Sequence, residues 1–165
     1  MIIRWASLIG ILIIFDQVSK YMVETMLPLQ RDIPLLPFLS LYRTYNEGVA
    51  FSAFSNLGPW PLIILTSVII LFILWLWRGL PPGRWISSFG YALVLAGAIG
   101  NLIDRVRLGK VIDMIFFHID QIGFYFAVFN LADTFITLGA VAIIIDEFIQ
   151  WRNSKQKQDE RTNNP

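Results

Sequence analysis

Eight polar side chains in this apolar chain are of types that can perform or support chemistry: Asp16, Lys20, Asn101, Asp104, Arg105, Asp113, Asn130 and Asp133. They lie within or next to hydrophobic stretches of the chain. An ionisable group inside a membrane is costly, so it is normally paired or functional. We therefore predict that these eight side chains meet near the outer face of a membrane.

Two aspartates are the best candidates for chemistry. The chain has no cysteine and one histidine, His118, so thiolate nucleophiles and His-rich metal sites are excluded, and no cofactor is expected. Two adjoining carboxyl groups share a proton, and the pair can activate a water. Asp113 interrupts an apolar stretch where a carboxylate has no structural use, and Asp133 opens another, so these two form the preferred dyad. Nothing places His118 near a serine, and we expect it at the surface.

Most of these side chains also have a structural interpretation. The alternatives are an ion pair for Asp16 and Lys20, spaced i, i+4; salt bridges at a helix end for Asp104 and Arg105; a helix cap for Asn130; and a dipole complement for Asp133.

The composition favours a polytopic membrane protein built mainly of α-helix. Hydrophobic residues make up 56% of the chain and charged residues 15%, against about 25% charged in a soluble domain. A helix needs about 20 mostly apolar residues to cross a bilayer. This criterion predicts four transmembrane helices in a single domain at 1–151, over about residues 5–26, 60–77, 85–103 and 131–151.

The distribution of charge predicts the orientation. Basic residues concentrate near the N-terminus, in the turn at 78–84 and in the tail at 152–165, which places both termini in the cytoplasm. The last dozen residues, 154–165, are predicted to be polar and disordered. No comparable group of polar residues is expected at the cytoplasmic level. The net charge of +1 gives no indication of nucleic-acid binding.

The two segments on the predicted outer side differ in character. Residues 27–59 contain several prolines and glycines and short alternating stretches, which favour strands and turns. Residues 107–130 are strongly aromatic and are predicted to form an amphipathic segment in the membrane interface.

Five segments match motifs of a known family. They are 16–20 (DQVSK), 46–51 (NEGVAF), 97–105 (GAIGNLIDR), 111–113 (VID) and 129–133 (FNLAD). In this order and spacing the chain closely resembles the bacterial lipoprotein signal peptidases (signal peptidase II), which are membrane aspartyl peptidases. Val49 and Met114 depart from the residues common in the family, and neither carries chemistry.

The resemblance implies a function and a set of site residues. Asp113 and Asp133 would be the catalytic dyad. Its implied neighbours are Asn101, Arg105, Asn130 and Ala132 around the site, Asp16 and Lys20 in support, and Asn46 and Gly48 on a small extracytoplasmic β-cradle. The substrates would be prolipoproteins whose cysteine carries diacylglycerol, in the bacterial inner membrane, and globomycin-type inhibitors would occupy the dyad.

Two other functions remain open from the residues alone. A small ion- or proton-coupled transporter subunit would use Asp16, Lys20 and the outer carboxylates as a relay. A structural or assembly protein would use its polar groups only to hold helices together. The first predicts acidic residues spread through the membrane, whereas the sequence clusters them at one face.

Overall fold

The computed structural model describes residues 2–48 and 58–163. A short 3-10 turn at Ile2–Trp5 leads into the first of four α-helices, and a small β-sheet lies at one end of the bundle. The helices are α1 (Ala6–Met26), α2 (Trp60–Arg78), α3 (Trp85–Leu108) and α4 (Leu131–Asn163). The strands are β1 (Asp32–Leu36), β2 (Leu39–Asn46), β3 (Val111–Ile119) and β4 (Phe124–Tyr125).

Three of the helices, α1, α2 and α3, are long and apolar enough to cross a membrane. In the apolar 18-residue stretches of α1 and α2, only 17% and 11% of the residues are buried. The share in α3 is 67%, so α3 is the central helix. The exposed side chains of α1 and α2 are mostly aliphatic and aromatic, as expected for surfaces that face lipid. The fourth predicted span lies within α4, and its crossing of the membrane remains a prediction.

Small residues let α3 and α4 approach closely. A Cβ atom built on Gly90 would lie 2.7 Å from the backbone oxygen of Gly139, and one built on Gly97 would collide with the backbone oxygen of Ala132. Such contacts allow backbones to pack against each other, as small residues commonly do between membrane helices. The contact at Gly97 brings the beginning of α4 against the second half of α3, which also carries Asn101, Asp104 and Arg105.

The strands form one antiparallel sheet in the order β1-β2-β3-β4. Thr44 on β2 pairs with Asp113 on β3, and Asn46 pairs with Val111. Segment 107–130 supplies β3 and β4 of this sheet through its β-branched and aromatic residues. Its place in the membrane interface stays a prediction. We call the end of the bundle that carries this sheet the sheet end, and the end that carries the turn 79–84 the turn end.

An apolar cluster joins the sheet to the helices. Val23 of α1 packs with Ile112 and Met114 of β3, and the side chains of Leu108 and Tyr45 border them. Between these two buried β3 residues lies the first aspartate of the predicted dyad, whose own side chain is 2% exposed. Because alternate residues of a strand point to opposite faces, this aspartate is directed away from the side that Ile112 and Met114 pack.

The turn end contains a polar cluster that the sequence analysis did not predict. Arg84 donates from Nε to Asp146 at 2.5 Å and from Nη2 to Glu147 at 2.7 Å. The hydroxyl of Ser87 also donates to Asp146. The expectation that polar residues gather at one end only is therefore wrong, because these groups tie the beginning of α3 to α4.

The last helix is longer than the predicted span at 131–151. It continues without a break to Asn163, so the predicted disorder is wrong for residues 154–163. The chain begins and α4 ends on the turn-end side of the bundle, since Trp5 packs with the cluster around Trp77 and Asp146 contacts Arg84.

Candidate active site

Asn130 lies between the two aspartates of the predicted dyad. Its side-chain Nδ2 donates to Oδ1 of Asp113 at 2.6 Å. Its backbone N–H donates to Oδ2 of Asp133 at 3.2 Å. One fully buried residue thus contacts a carboxyl group from strand β3 and another from the first turn of α4.

The local sequence explains why Asp133 points toward Asn130. The backbone N–H of Asp133 donates to Oδ1 of Asn130 at 3.0 Å, while the Asp133 carboxylate accepts from the Asn130 backbone. This reciprocal arrangement is a capping box in which aspartate takes the usual place of glutamate. The helix N-terminus favours the negative charge of Asp133. Asn130 therefore caps α4 and Asp133 complements the helix dipole, as the structural interpretation predicted. The same two residues also form the surroundings of Asp113.

Asn101 of α3 connects the dyad to the core of the bundle. Its Nδ2 donates to Oδ1 of Asp133 at 2.8 Å. Its Oδ1 accepts from Lys20 Nζ at 2.9 Å and from Asn130 Nδ2 at 3.3 Å. Both ends of this amide are hydrogen-bonded, which fixes its orientation.

Lys20 lies in a buried ionic cluster between α1 and α3. Its ammonium contacts Asp16 at 2.9 Å and Asp104 at 2.8 Å, and the three side chains are at most 1% exposed. Gln17 donates to Asp104 at 3.0 Å and also lies 3.1 Å from Asp16. Gln17 was not among the predicted site residues, although its place beside Asp16 in an apolar stretch was a usable signal.

The two acids of this cluster hold the backbone next to each member of the dyad. Asp16 accepts from the N–H of Ala132 at 3.0 Å, and Asp104 accepts from the N–H of Ile112 at 3.3 Å. Ala132 and Ile112 immediately precede the two aspartates of the dyad. The predicted support residues therefore fix the two positions of the chain from which these aspartates project.

Arg105 lies close enough to the dyad for its charge to be attracted to Asp133, Asp104 and Asp113. Its Nη1 is 3.5 Å from the backbone oxygen of Asn101, and its buried Nε has no partner among the described residues. The guanidinium thus retains free donors beside the two carboxyl groups.

Asn46 and Gly48 border the site from the end of β2. Gly48 donates its N–H to Oδ1 of Asn46 at 2.9 Å, which leaves the amide nitrogen of Asn46 to hydrogen-bond Asp113. Gly48 has φ +79, and a Cβ there would lie 2.5 Å from Leu62 of α2. Residues 49–51 of the same motif, including Val49, lie outside the described residues.

The environment raises the pKa of Asp113 to about 6. Burial is the main cause, because it disfavours the charged form, and the nearby negative charge of Asp133 adds to it. Hydrogen bonds from Asn130 and Asn46 oppose the increase without cancelling it. One carboxyl group of the pair is therefore suited to carry a proton near neutral pH.

His118 lies between Ser40 and Asp120 in a second hydrogen-bonded row of residues, and its predicted position at the surface is wrong. Its Nε2 lies 3.0 Å from Ser40 Oγ and its Nδ1 lies 3.0 Å from Asp120. His118 is 8% exposed and so is not a surface residue, and the statement that no serine is near it is wrong. Ser40 is only 1% exposed, which does not suit a nucleophile. Strand pairing between β2 and β3 produced this contact, and no spacing in the sequence indicates it.

Within the described part of the chain, no three His, Cys, Asp or Glu side chains are grouped so as to hold a metal ion. The polar groups around the dyad are instead carboxyl groups, amides, the ammonium of Lys20 and the guanidinium of Arg105. This set can hold a water between carboxyl groups and neutralise charge near it.

Comparisons with known proteins agree with this arrangement. A family model described as signal peptidase (SPase) II matches residues 8–149. A lipoprotein signal peptidase of Bartonella henselae is 54% identical over 140 residues, covering 85% of each chain. One of Sinorhizobium fredii is 48% identical over 150 residues, covering 91% of this chain and 89% of that relative.

Solved structures support the same conclusion. Two structures, each described as a bacterial membrane enzyme, match with TM-scores of 0.81 and 0.77 at 30% and 31% identity. The first match covers 93% of this chain and 92% of the other, and the second covers 88% and 92%.

A bundle of membrane-length helices with two neighbouring aspartates at one end has the architecture of a membrane-embedded aspartic protease. The chain belongs to the signal peptidase II family. The predicted family and the predicted class of enzyme are thereby confirmed.

Proposed function

We propose that this protein removes the signal peptide from diacylglyceryl-modified prolipoproteins, cutting immediately before the lipid-modified cysteine. One observation carries the proposal. Asp113 and Asp133 both contact Asn130, and buried carboxylates hold the backbone before each of them. The names of the relatives, which are lipoprotein signal peptidases, support the choice of substrate.

The proposed chemistry uses water as the nucleophile. One carboxylate of the dyad accepts a proton from water, and the hydroxide adds to the scissile carbonyl carbon while the other carboxyl group protonates the carbonyl oxygen. Collapse of the tetrahedral intermediate breaks the carbon–nitrogen bond and transfers a proton to the leaving amine. The products are the carboxylate of the signal peptide and the free amine of the modified cysteine.

The proposed orientation follows the distribution of basic residues. Both termini and the turn end would face the cytoplasm, the four helices would cross the bacterial inner membrane, and the sheet end would lie near the outer face. Residues 1–151 would form the single catalytic domain. The lipid-modified substrate would enter sideways from the bilayer, because large apolar side chains such as Ile14 and Val68 are exposed along the helices.

The structure does not favour the transporter alternative. The buried charges of Asp16, Lys20 and Asp104 at one end, and of Arg84 and Asp146 at the other, are satisfied by internal ion pairs. Between them, α4 has no acid or base from Thr134 to Ile145, a distance of about 18 Å along the helix axis. Along this helix, protons or ions would have no chain of charged groups to follow between the ends.

The proposal predicts strong dependence on the lipid. We expect a prolipoprotein peptide with diacylglyceryl-cysteine to be cleaved by the protein in liposomes at least about 100-fold faster in kcat/KM than the same peptide with free cysteine, because remote binding energy lowers the barrier. Mass spectrometry would locate the cut, and globomycin would inhibit it. Equal cleavage of both peptides, or of neither, would refute the proposed substrate.

A further inference from the structure

We infer that Lys20 and Asn101 form a positioning relay that makes Asp133 the general base of the dyad and leaves Asp113 as its general acid. This inference rests on the proposed function, which assigns the dyad without distinguishing its two members. The relay consists of three side chains in line: Lys20 of α1, Asn101 of α3 and Asp133 of α4.

Lys20 determines which way the side-chain amide of Asn101 is oriented. An ammonium group has donors and no acceptor, so the atom of Asn101 that it contacts at 2.9 Å must be the amide oxygen. The ammonium itself cannot turn elsewhere, since Asp16 and Asp104 accept its other two hydrogens at 2.9 Å and 2.8 Å. Asn101 is therefore obliged to present its NH2 group to Asp133.

Asp133 receives a donor on each of its carboxyl oxygens. Asn101 Nδ2 donates to Oδ1 at 2.8 Å, and the backbone N–H of Asn130 donates to Oδ2 at 3.2 Å. Hydrogen bonds to the charged form stabilise that form. These two donors favour the carboxylate at Asp133, and each oxygen keeps a second lone pair with which it can accept a proton from water.

The charges around Asp133 come from three helices and a strand. Arg105 and the α4 N-terminus favour a negative charge there, and among the acids that act on Arg105 the strongest attraction comes from Asp133. The other charged groups that face this region are Lys20 and Asp16 of α1, Asp104 of α3 and Asp113 of β3. The charge of Lys20 is shared between Asp16 and Asp104, which leaves Asp113 as the neighbouring acid that competes with Asp133 for ionisation.

Asp113 has the opposite environment. It projects from a strand rather than a helix N-terminus, and it is 2% exposed. Asn130 and Asn46 donate to it, yet burial and the charge of Asp133 act more strongly and raise its pKa to about 6. The shared proton therefore resides on Asp113.

The assignment defines where each proton goes. Asp133 takes one proton from water, the resulting hydroxide bonds to the carbonyl carbon, and Asp113 gives its proton to the carbonyl oxygen. When the carbon–nitrogen bond breaks, the proton on Asp133 passes to the leaving nitrogen, and the hydroxyl proton of the intermediate returns to Asp113. One water is consumed and both carboxyl groups regain their starting states.

The test is the pH profile of cleavage by Asn101→Ala. Removing the amide takes a donor from Asp133 alone, so the ascending limb of kcat/KM against pH should move upward by about one pH unit. We expect kcat to fall about 100-fold, with KM changed less than about threefold, because a misplaced base affects the chemical step. The conservative variant Asn101→Gln should recover part of kcat and of the shift.

A second variant removes the lysine while keeping the net charge of the buried cluster. Lys20→Met with Asp104→Asn eliminates one positive and one negative charge, and it should move the ascending limb in the same direction. Gln17→Met is the matched control, since it removes hydrogen bonds from the same cluster without touching Asn101; its melting temperature should fall while the limb stays in place.

Two results would overturn the relay. Movement of the descending limb alone in Asn101→Ala would make Asp113 the base. If both limbs of the pH profile of kcat/KM are unchanged in folded variants, Lys20 and Asn101 have a purely structural role. Either result leaves the dyad itself intact, whereas normal cleavage by dyad variants would remove the proposed function instead.

Discussion

Replacing Asp113 with asparagine is expected to abolish cleavage and, at about pH 8, to raise the melting temperature of the protein. The loss of activity should be at least about 10⁴-fold in kcat, the effect typical of removing one member of a catalytic group that acts as a unit. The amide oxygen introduced by Asp113→Asn can still accept the hydrogen bond from Asn130.

The sign of the stability change follows from the pKa of Asp113. That pKa is about 6 in the folded protein, against an ordinary value of 3.8. The folded chain therefore holds its proton more tightly than the unfolded chain, and the free energy of unfolding decreases as pH rises from about 4 to 6, by about 3 kcal/mol in total. Asparagine does not ionise, so the variant avoids this loss.

Asp133→Asn should be equally inactive but less stable than the parent protein. Both oxygens of Asp133 accept from fixed donors, so the new NH2 group would oppose either Asn101 Nδ2 or the Asn130 backbone N–H. Thermal unfolding in detergent at about pH 5 and pH 8, beside a cleavage assay, measures both effects. A folded Asp113→Asn that still cleaves, or a melting temperature for it that falls more at pH 8 than at pH 5, would contradict the account.

Gly97→Ala is expected to lower kcat about 100-fold and to destabilise the protein by about 1–3 kcal/mol. The added methyl group would collide with the backbone oxygen of Ala132 and approach Ile136 to 2.8 Å. The beginning of α4 must then move away from α3. That movement displaces Ala132 from Asp16 and carries the first turn of α4, with its catalytic aspartate, away from Asn101.

Two other glycines provide matched controls for this prediction. Gly90→Ala produces a similar collision with Gly139, about 10 Å away along α3, and should reduce stability with much less effect on kcat. Gly10→Ala meets nothing within 4 Å and should be neutral in both measurements. Wild-type kcat in Gly97→Ala would show that α3 and α4 do not need to touch there for the dyad to work.

Much of the helical architecture was predictable because membrane helices have a strong signal in sequence. Hydropathy and length predicted the positions of α1 and α2 within a residue or two. The end of α3 was underestimated, because Asp104, Arg105 and Arg107 lower hydropathy while the helix continues to Leu108. Hydropathy counts Asp104 as a residue that prefers water. In the folded protein its charge is neutralised by Lys20, so the helix can continue through this position.

The contacts of the site were only partly predictable. The spacing of Asp16 and Lys20 indicated their ion pair, and the motif at 129–133 indicated a cap. Two contacts between distant elements had no such signal: one joins Asp104 to the backbone of β3, and the other joins Ser40 to His118. They depend on where strands meet helices and each other, which no local pattern encodes. The cluster around Arg84, the residue that precedes α3, was missed because its partners on α4 are 62 and 63 residues away.

The most direct test of the central claim is a structure of the protein with a substrate analogue that carries a hydroxyl-bearing carbon in place of the scissile carbonyl. Such a group imitates the tetrahedral intermediate formed by the attack of water. Our account predicts its hydroxyl oxygen within hydrogen-bonding distance of the carboxyl groups of both Asp113 and Asp133. A hydroxyl bound elsewhere, with Asp113 and Asp133 too far apart to contact one oxygen atom together, would contradict the claim that these two aspartates activate water.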